Sequence, residues 1–198
     1  MLPSLLDFLF PKFCYGCGQY GDYLCSSCLN KIKVNEKPIC PVCGRGAMSG
    51  MTHSLCRQGD ALDGLTSIFA YQGLLKKIIK KLKYRFVYEV HKPLVELALS
   101  NLGEDETFSW FCRQKPIFVP VPLHPARKRW RGFNQAELLG KPIAGALGLK
   151  FTPDLLIRVK NTSTQTMLDK KQRQENIKNA FKLNEQFSNP PATLRVAM

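Results

Sequence analysis

The sequence predicts an α/β domain preceded by a small metal-binding module. Seven of the eight cysteines lie within the first 56 residues, so the chain does not form one uniform fold. Beyond residue 58, apolar-periodic helices alternate with short β-branched strands, which is typical of a layered fold with a largely parallel sheet. The 198 residues, 44% of them hydrophobic, suffice for one ordinary domain and a small second one. We therefore expect a first domain over residues 1–58 and a second over residues 59–198.

Four pairs of metal-ligating residues, each with a two-residue gap, define the first domain. Such a gap lets both side chains of one tight turn reach the same tetrahedral ion, and thiolate and imidazole ligands suit zinc. The pairs are Cys14 and Cys17, Cys25 and Cys28, Cys40 and Cys43, and His53 and Cys56. The spacing predicts a double zinc-ribbon module with two structural Zn²⁺ ions.

Several alternatives for this module stay open at the level of sequence. One half could hold the only zinc, or the cysteines could form disulfides or an iron–sulfur cluster. His53 is the weakest ligand, because a single loop histidine is often only solvated. Consecutive pairs would give two stacked ribbons and alternate pairs an interleaved arrangement. We favour ribbons, since each half already carries four ligands, and closed four-ligand sites fold the chain rather than catalyse a reaction.

The cellular compartment of the protein decides whether the cysteines bind metal or form disulfides. The apolar N-terminus has no Lys or Arg before its hydrophobic part, contains Asp7 and lacks a small-residue cleavage pattern. We expect a cytoplasmic protein, in which thiols stay reduced and metal is favoured. Apolar runs fall far short of the roughly twenty residues that cross a bilayer, so no membrane insertion is expected.

The second domain begins with the clearest helix. Five apolar residues between Leu74 and Leu82 share one helical face, and five lysines between Lys76 and Lys83 occupy the other. A second helix is expected over residues 93–102, and a loop over the polar residues 103–107. We interpret Cys112, the only later cysteine, as a buried small hydrophobe.

The remaining elements alternate as an α/β fold requires. The short apolar run Ile117–Val121 indicates a buried strand, followed by a basic loop from His124 to Arg131. A helix from about Asn134 to Gly148 contains Pro142, which breaks or kinks it. Further along the chain we expect a strand over 155–159, a helix over 170–179 and a final strand from Leu194.

Positive charge belongs to the second domain. The net charge of the chain is +14. Residues 1–58 contribute +3, which two zinc ions with seven thiolates would offset, and the remaining residues contribute +11. The lysine face described above is one cluster, although such faces are usually only solvated. The second cluster, near the end of the first strand, comprises Arg127, Lys128, Arg129 and Arg131, with the aromatic residues Trp130 and Phe133.

This second cluster favours an anionic ligand. Arginines among aromatic rings can hold a phosphate backbone and stack bases, which suits single-stranded nucleic acid. They can equally hold a phosphorylated small molecule, or serve only the structure. Ligands of open α/β sheets bind at the carboxyl ends of the strands, where this cluster is expected.

Four segments resemble the ComF family of competence proteins, which includes proteins of DNA utilisation. They are the cysteine pairs, YQGLLKKIIKKLKYR, VPVPLHPARKRWRGFNQAELL and IRVKNTSTQTMLDKKQRQENIKNAF. The resemblance covers nearly the whole chain. The most specific match is Arg131, Gly132, Phe133, Asn134 and Gln135, and the second is the spacing from Thr162 to Phe181.

The resemblance implies a zinc-ribbon module joined to a domain similar to type I phosphoribosyltransferases. In that fold the loop after the first strand accepts pyrophosphate oxygens, which would correspond to residues 123–131. Gln165, Arg173 and Asn176 would line or brace the same cleft, or only form a hydrogen-bonded helix start. The later loop for ribose 5-phosphate needs an acidic pair after a strand, and the last strand here, Leu194–Met198, is followed by none. The acids Glu104–Glu106 follow no strand. We therefore expect an incomplete sheet.

Three functions follow from these expectations. The first is a competence protein of DNA uptake or utilisation, which binds single-stranded DNA through its basic domain and proteins of the uptake machinery through its zinc module. The second is a phosphoribosyltransferase that uses phosphoribosyl pyrophosphate and Mg²⁺, expected to be inactive without the acidic pair. The third is a truncated remnant without function.

Overall fold

The computed structural model describes residues 11–187, except residues 36, 60, 85–87, 103–105 and 164–167. The chain divides into two compact units between Trp110 and Phe111. The first unit holds all the predicted metal ligands together with two long helices. The predicted boundary at residue 58 rests on composition alone and stays a prediction.

The cysteine-rich part of the first unit is built from two similar turns. The amide of Cys14 donates to the carbonyl of Gln19 and the amide of Cys40 to that of Arg45, both at 2.9 Å. Antiparallel bridges close the turns, between Phe13 and Tyr20 in the first and between Ile39 and Gly46 in the second. The hydrogen-bonding pattern of the first turn therefore repeats in the second. A short helix, α1 (Ser26–Leu29), follows the first turn.

Two amphipathic helices supply most of the apolar core of the first unit. Helix α2 (Gly73–Tyr84) buries Leu75, Ile78 and Leu82, as its sequence pattern predicts. Helix α3 (His91–Leu102) confirms the predicted second helix and buries Leu94, Val95, Ala98 and Leu102. A single turn over Tyr88–Val90 precedes α3 and places the fully buried Val90 between the two helices.

The second unit contains a parallel strand pair linked by two helices. Strand β1 (Ile117–Phe118) pairs in parallel with β2 (Lys150–Phe151). The connection runs through α5 (Pro125–Arg131) and α6 (Gln135–Ala146). Helix α6 packs closely on β2, because Gly140 has no Cβ to meet the rings of Phe118 and Phe151. The predicted helix near residues 134–148 is confirmed as α6, but it continues through Pro142 without the predicted break.

A second strand pair in this unit is antiparallel. Strand β3 (Leu156–Arg158) pairs with β4 (Phe181–Leu183), and helix α7 (Lys170–Ile177) lies between them in sequence. The predicted strand near residues 155–159 and helix near 170–179 are thus confirmed. The α/β class with a small parallel sheet is also confirmed. The predicted final strand from Leu194 lies outside the described residues.

Three local expectations need correction. The predicted basic loop over 124–131 is helix α5, because His124 caps it, Pro125 begins it and Gly132 ends it at a φ of 80°. A further helix, α4 (Glu106–Arg113), begins where a loop was expected; residues 103–105 lie outside the described part. Cys112 on this helix is half-buried rather than buried.

Candidate zinc centres and basic surfaces

The first predicted ligand set comes together in the structure. The sulfur atoms of Cys14, Cys17, Cys25 and Cys28 all lie within 4.8 Å of one another. The turn that holds the first pair closes through a hydrogen bond from the Gly18 amide to the Cys14 carbonyl, and Gly18 adopts a φ of 81°. The second pair lies at the start of α1, where the Cys28 amide donates to the Cys25 carbonyl.

The second ligand set forms a separate cluster of the same size. The donor atoms of Cys40, Cys43, His53 and Cys56 also lie within 4.8 Å of one another. His53 Nδ1 is 3.4 Å from the Cys43 sulfur, and His53 Nε2 is 3.1 Å from the carbonyl of Gly46. A carbonyl can only accept, so Nε2 donates to it, and Nδ1 is the ring nitrogen that faces the sulfur cluster.

The distances within both clusters fit zinc. Zn–S bonds of about 2.3 Å and Zn–N bonds of about 2.1 Å in a tetrahedron give S···S edges of about 3.8 Å and S···N edges of about 3.6 Å. The Cys17 and Cys25 sulfurs are 3.7 Å apart, and the Cys43···His53 distance is 3.4 Å. Consecutive pairs share each cluster, which agrees with the stacked ribbons and not with the interleaved arrangement.

Two thiols of the first cluster have pKa values shifted in opposite directions. Burial alone would raise the pKa of Cys14, but backbone hydrogen bonds from Cys25, Cys17 and Gly16 outweigh it and lower the pKa to about 6. Burial and the neighbouring thiols raise the pKa of Cys28 to about 12. The Cys14 thiolate is therefore stabilised, whereas that of Cys28 is opposed.

An arginine that the sequence analysis did not single out supports the second cluster. The Arg45 side chain donates to the Cys43 sulfur and lowers the pKa of that thiol to about 6. In turn the nearby thiolates raise the pKa of Arg45. Its position two residues after a ligand was visible in the sequence, but nothing there showed that its side chain turns back toward the sulfur.

Three of the four cations predicted to bind an anion make contacts within the second unit. Arg127 Nη2 donates to the carbonyl of Thr162 at 2.5 Å. Lys128 Nζ lies 3.3 Å from a carboxylate oxygen of Glu137. Arg131 is only 8% exposed, and its Nη1 donates to Gln135 Oε1. Arg131 is therefore buried at the junction of α5 and α6, where it contacts the half-buried Gln135.

Several residues of this segment are exposed, among them Lys128. Arg129 is exposed on α5, and its neighbour Trp130 is 60% exposed. Gly132 is exposed and ends the helix, and Phe133 is half-buried. Asn134 is buried, caps α6 by accepting from the Ala136 amide at 3.1 Å and donates to the Val121 carbonyl at 3.0 Å.

The predicted cleft residues brace the loop that precedes α7. Arg173 Nε donates to the Leu168 carbonyl, and Asn176 Nδ2 donates to the Ser163 carbonyl at 3.2 Å. Gln165 lies outside the described residues. Helix α7 begins with a capping box between Asp169 and Gln172. Whether Arg173 and Asn176 line a cleft or only support this helix start stays a prediction.

Arg158 is a second residue that the sequence analysis missed. Its guanidinium donates to Thr162 Oγ1 and lies 5.2 Å from the Phe181 ring centre. Burial, and then the charge of Arg127, lower the pKa of Arg158. Two guanidinium groups therefore converge on buried Thr162. Arg127 and Arg158 come close only because α5 lies beside the loop after β3 in the folded chain.

Comparison with known proteins agrees with the cysteine clusters. The double zinc ribbon domain matches residues 5–58. Together with two four-ligand clusters of tetrahedral size, this match defines the class of the protein, which carries two structural zinc-ribbon sites ahead of an α/β unit.

Known relatives define the family. Competence protein F of Haemophilus influenzae is 30% identical over 162 residues, which cover 81% of this chain and 69% of that protein. DNA utilization protein YhgH of Escherichia coli K12 is 30% identical over 185 residues, 87% of this chain and 78% of the relative. Competence protein ComFC of Bacillus subtilis is 30% identical over 131 residues, which cover 60% of this chain and 50% of that protein. The chain belongs to the ComF family of competence proteins.

No solved structure matches this chain. Among the helices of the described residues, none combines the length and the apolarity that a membrane crossing requires.

Proposed function

We propose that this protein binds single-stranded DNA during DNA uptake or utilisation, in the cytoplasm. The observation that carries the proposal is the exposed pair Arg129 and Trp130 on α5. A guanidinium beside an exposed indole offers a phosphate contact and a stacking surface, the combination that holds unpaired bases. Relatives named for competence and for DNA utilization support the pathway.

In this proposal the zinc module has a structural and docking role. Each cluster supplies four ligands, so zinc would be enclosed, with no open position for water or substrate. When bound, zinc supplies folding energy and neutralises thiolate charge. The surface that the ribbons present would then contact proteins of the DNA uptake machinery.

Fluorescence anisotropy with a labelled oligothymidine and the zinc-loaded full chain tests DNA binding. Because each phosphate contact on a single strand contributes about 0.7 to the slope of log affinity against log salt, Arg129→Gln should lower the slope by about 0.7. Trp130→Ala should weaken binding by about 1–3 kcal/mol at an unchanged slope. Lys171→Gln, which removes an exposed charge from α7, is the matched control. Absence of binding by the unmodified chain would overturn the proposal.

Phosphoribosyl transfer is the second candidate, because a pocket lies after β1 in the second unit. This pocket of about 150 Å³ is lined by Leu123, Lys128, Asn134 and Arg158 among others. Its two cations could hold a phosphorylated ligand. Calorimetry with phosphoribosyl pyrophosphate decides between the candidates. Mg²⁺-dependent binding with a micromolar Kd would favour the transferase. Absence of binding would leave DNA binding as the proposed function.

A further inference from the structure

Helix α2 carries a row of cations on its outer face, and its apolar inner face is already buried. Leu75, Ile78 and Leu82 on its inner face are at most 9% exposed. Lys76 and Lys80 are exposed on the outer face. The helix contains no acidic residue, and no carboxylate of the described residues lies within 4 Å of either ammonium group. These two lysines therefore keep a net positive field toward solvent.

Two further lysines of the helix, Lys77 and Lys81, form a second row with a different role. Lys77 Nζ donates to the carbonyl of Tyr15 at 2.6 Å, and Lys81 Nζ lies 4.8 Å from the centre of the Tyr15 ring. Tyr15 lies between the ligands Cys14 and Cys17. With four thiolates and one Zn²⁺ the first site would carry a charge of −2, which this row of lysines offsets. The charge of Lys76 and Lys80 is not used in this way.

An aromatic ring continues the outer row. Residues four apart on a helix lie about 5–6 Å apart at their Cβ atoms, so Lys76, Lys80 and Tyr84 follow one another along one face. Tyr84 is 48% exposed. We name Lys76, Lys80 and Tyr84 the outer α2 surface. Two cations one helical turn apart match successive phosphates of an extended strand, and the ring beyond them can stack on a base.

We propose that the outer α2 surface is a second binding site for single-stranded DNA, distinct in sequence and in unit from α5. The inference rests on the proposed DNA binding and adds a contact surface within the first unit. A lipid surface is the poorer fit, because an interfacial helix must insert its apolar face and that of α2 is buried in the core. Duplex DNA offers phosphates but no unpaired base for Tyr84.

Salt-dependent binding of labelled oligothymidine to the zinc-loaded full chain tests this site. The double variant Lys76→Gln/Lys80→Gln should lower the salt slope by about 1.4, since two single-strand phosphate contacts are lost. Tyr84→Leu should weaken binding by about 5- to 150-fold, the range that one stacked base supplies, without changing the slope. The control Lys141→Gln/Lys150→Gln removes the same charge from exposed positions of the second unit and should leave the slope unchanged.

The outcomes separate this inference from the proposed function. If the unmodified chain does not bind oligothymidine, both fail. If it binds and Lys76→Gln/Lys80→Gln leaves the slope unchanged, the second site alone is refuted. A slope lowered equally by the control pair would also refute it, because net charge would then explain the effect. Equal, lysine-dependent binding of duplex DNA or of anionic phosphatidylserine vesicles would refute the preference for single strands. Retention of two zinc ions by each variant shows that the first unit is folded.

Discussion

Replacing Gly16 with alanine is expected to weaken zinc binding at the first site alone. A Cβ at this position would lie 2.5 Å from the Cys28 sulfur and 3.2 Å from Leu74 Cδ2. Ordinary contacts begin at 3.4 Å, so the sulfur would have to move by about 0.9 Å. Metal sites tolerate bond-length deviations of only about 0.2 Å. Since even loss of a supporting group costs about 10- to 100-fold in metal affinity, displacement of a ligand should cost at least that much.

Competition with a chromophoric zinc chelator measures this effect. The unmodified chain should retain two tightly bound zinc ions, whereas Gly16→Ala should release one to far lower chelator concentrations. Gly46→Ala is the matched control, because Gly46 lies in the second ribbon and a Cβ there meets nothing within 4 Å. Two zinc ions held as tightly in Gly16→Ala as in the unmodified chain would refute the reasoning.

Four further substitutions test other parts of the structure. Arg45→Gln should raise the pKa of Cys43 from about 6 toward 9.0, so protons compete better for this thiolate and zinc leaves the second site at a higher pH, measured by acid titration with a chelator. Asn134→Ala removes the cap of α6 and should lower the free energy of unfolding by about 1–2 kcal/mol in urea. Arg131→Ala should lower it by about 1–3 kcal/mol because buried groups lose their partner, whereas Arg129→Ala should change it by less than about 0.5 kcal/mol.

Each of these expectations has a contradicting result. An unchanged pH of zinc release in Arg45→Gln, with Arg57→Gln as a control on the same ribbon, would mean that Arg45 does not stabilise the thiolate. Equal unfolding free energies for Asn134→Ala and the unmodified chain would refute the capping role. A stability loss in Arg129→Ala as large as that in Arg131→Ala would refute the assignment of which arginine is buried.

The ligand sets could be predicted because their information is local. A gap of two residues between Cys14 and Cys17 already places both sulfurs on one turn, and a full set of four in each half favours consecutive pairing. The role of Gly16 was not predictable, since it depends on how closely Cys28 and Leu74 approach it. The equivalent position of the second turn is Val42, which is 45% exposed and meets no such crowding.

Long helices were predicted better than the basic segment. Helices α2 and α6 have apolar periodicity over three turns, which local sequence shows directly. Helix α5 has only seven residues, and its charge suggested a loop although Pro125 and Gly132 mark its ends. Strand β4 was missed because Phe181, Lys182 and Leu183 form a short run whose strand character depends on pairing with β3.

Which cations face solvent could not be inferred from the sequence. Arg129 and Arg131 lie two residues apart in the same run, but one is exposed and the other is buried against Gln135. On α2, Lys76 and Lys77 are both exposed, and the sequence does not show that Lys77 donates to the carbonyl of Tyr15. Charge counts locate a basic region, whereas the packing of neighbouring elements decides which of its side chains can bind a ligand.

Metal analysis of the gently purified full chain tests the account most directly. The structure predicts two zinc ions per chain, falling to one in Cys14→Ser and to one in Cys40→Ser, because each substitution removes a ligand from a different closed cluster. Fewer than two zinc ions in the unmodified chain, or loss of both in either variant, would contradict two independent zinc-ribbon sites.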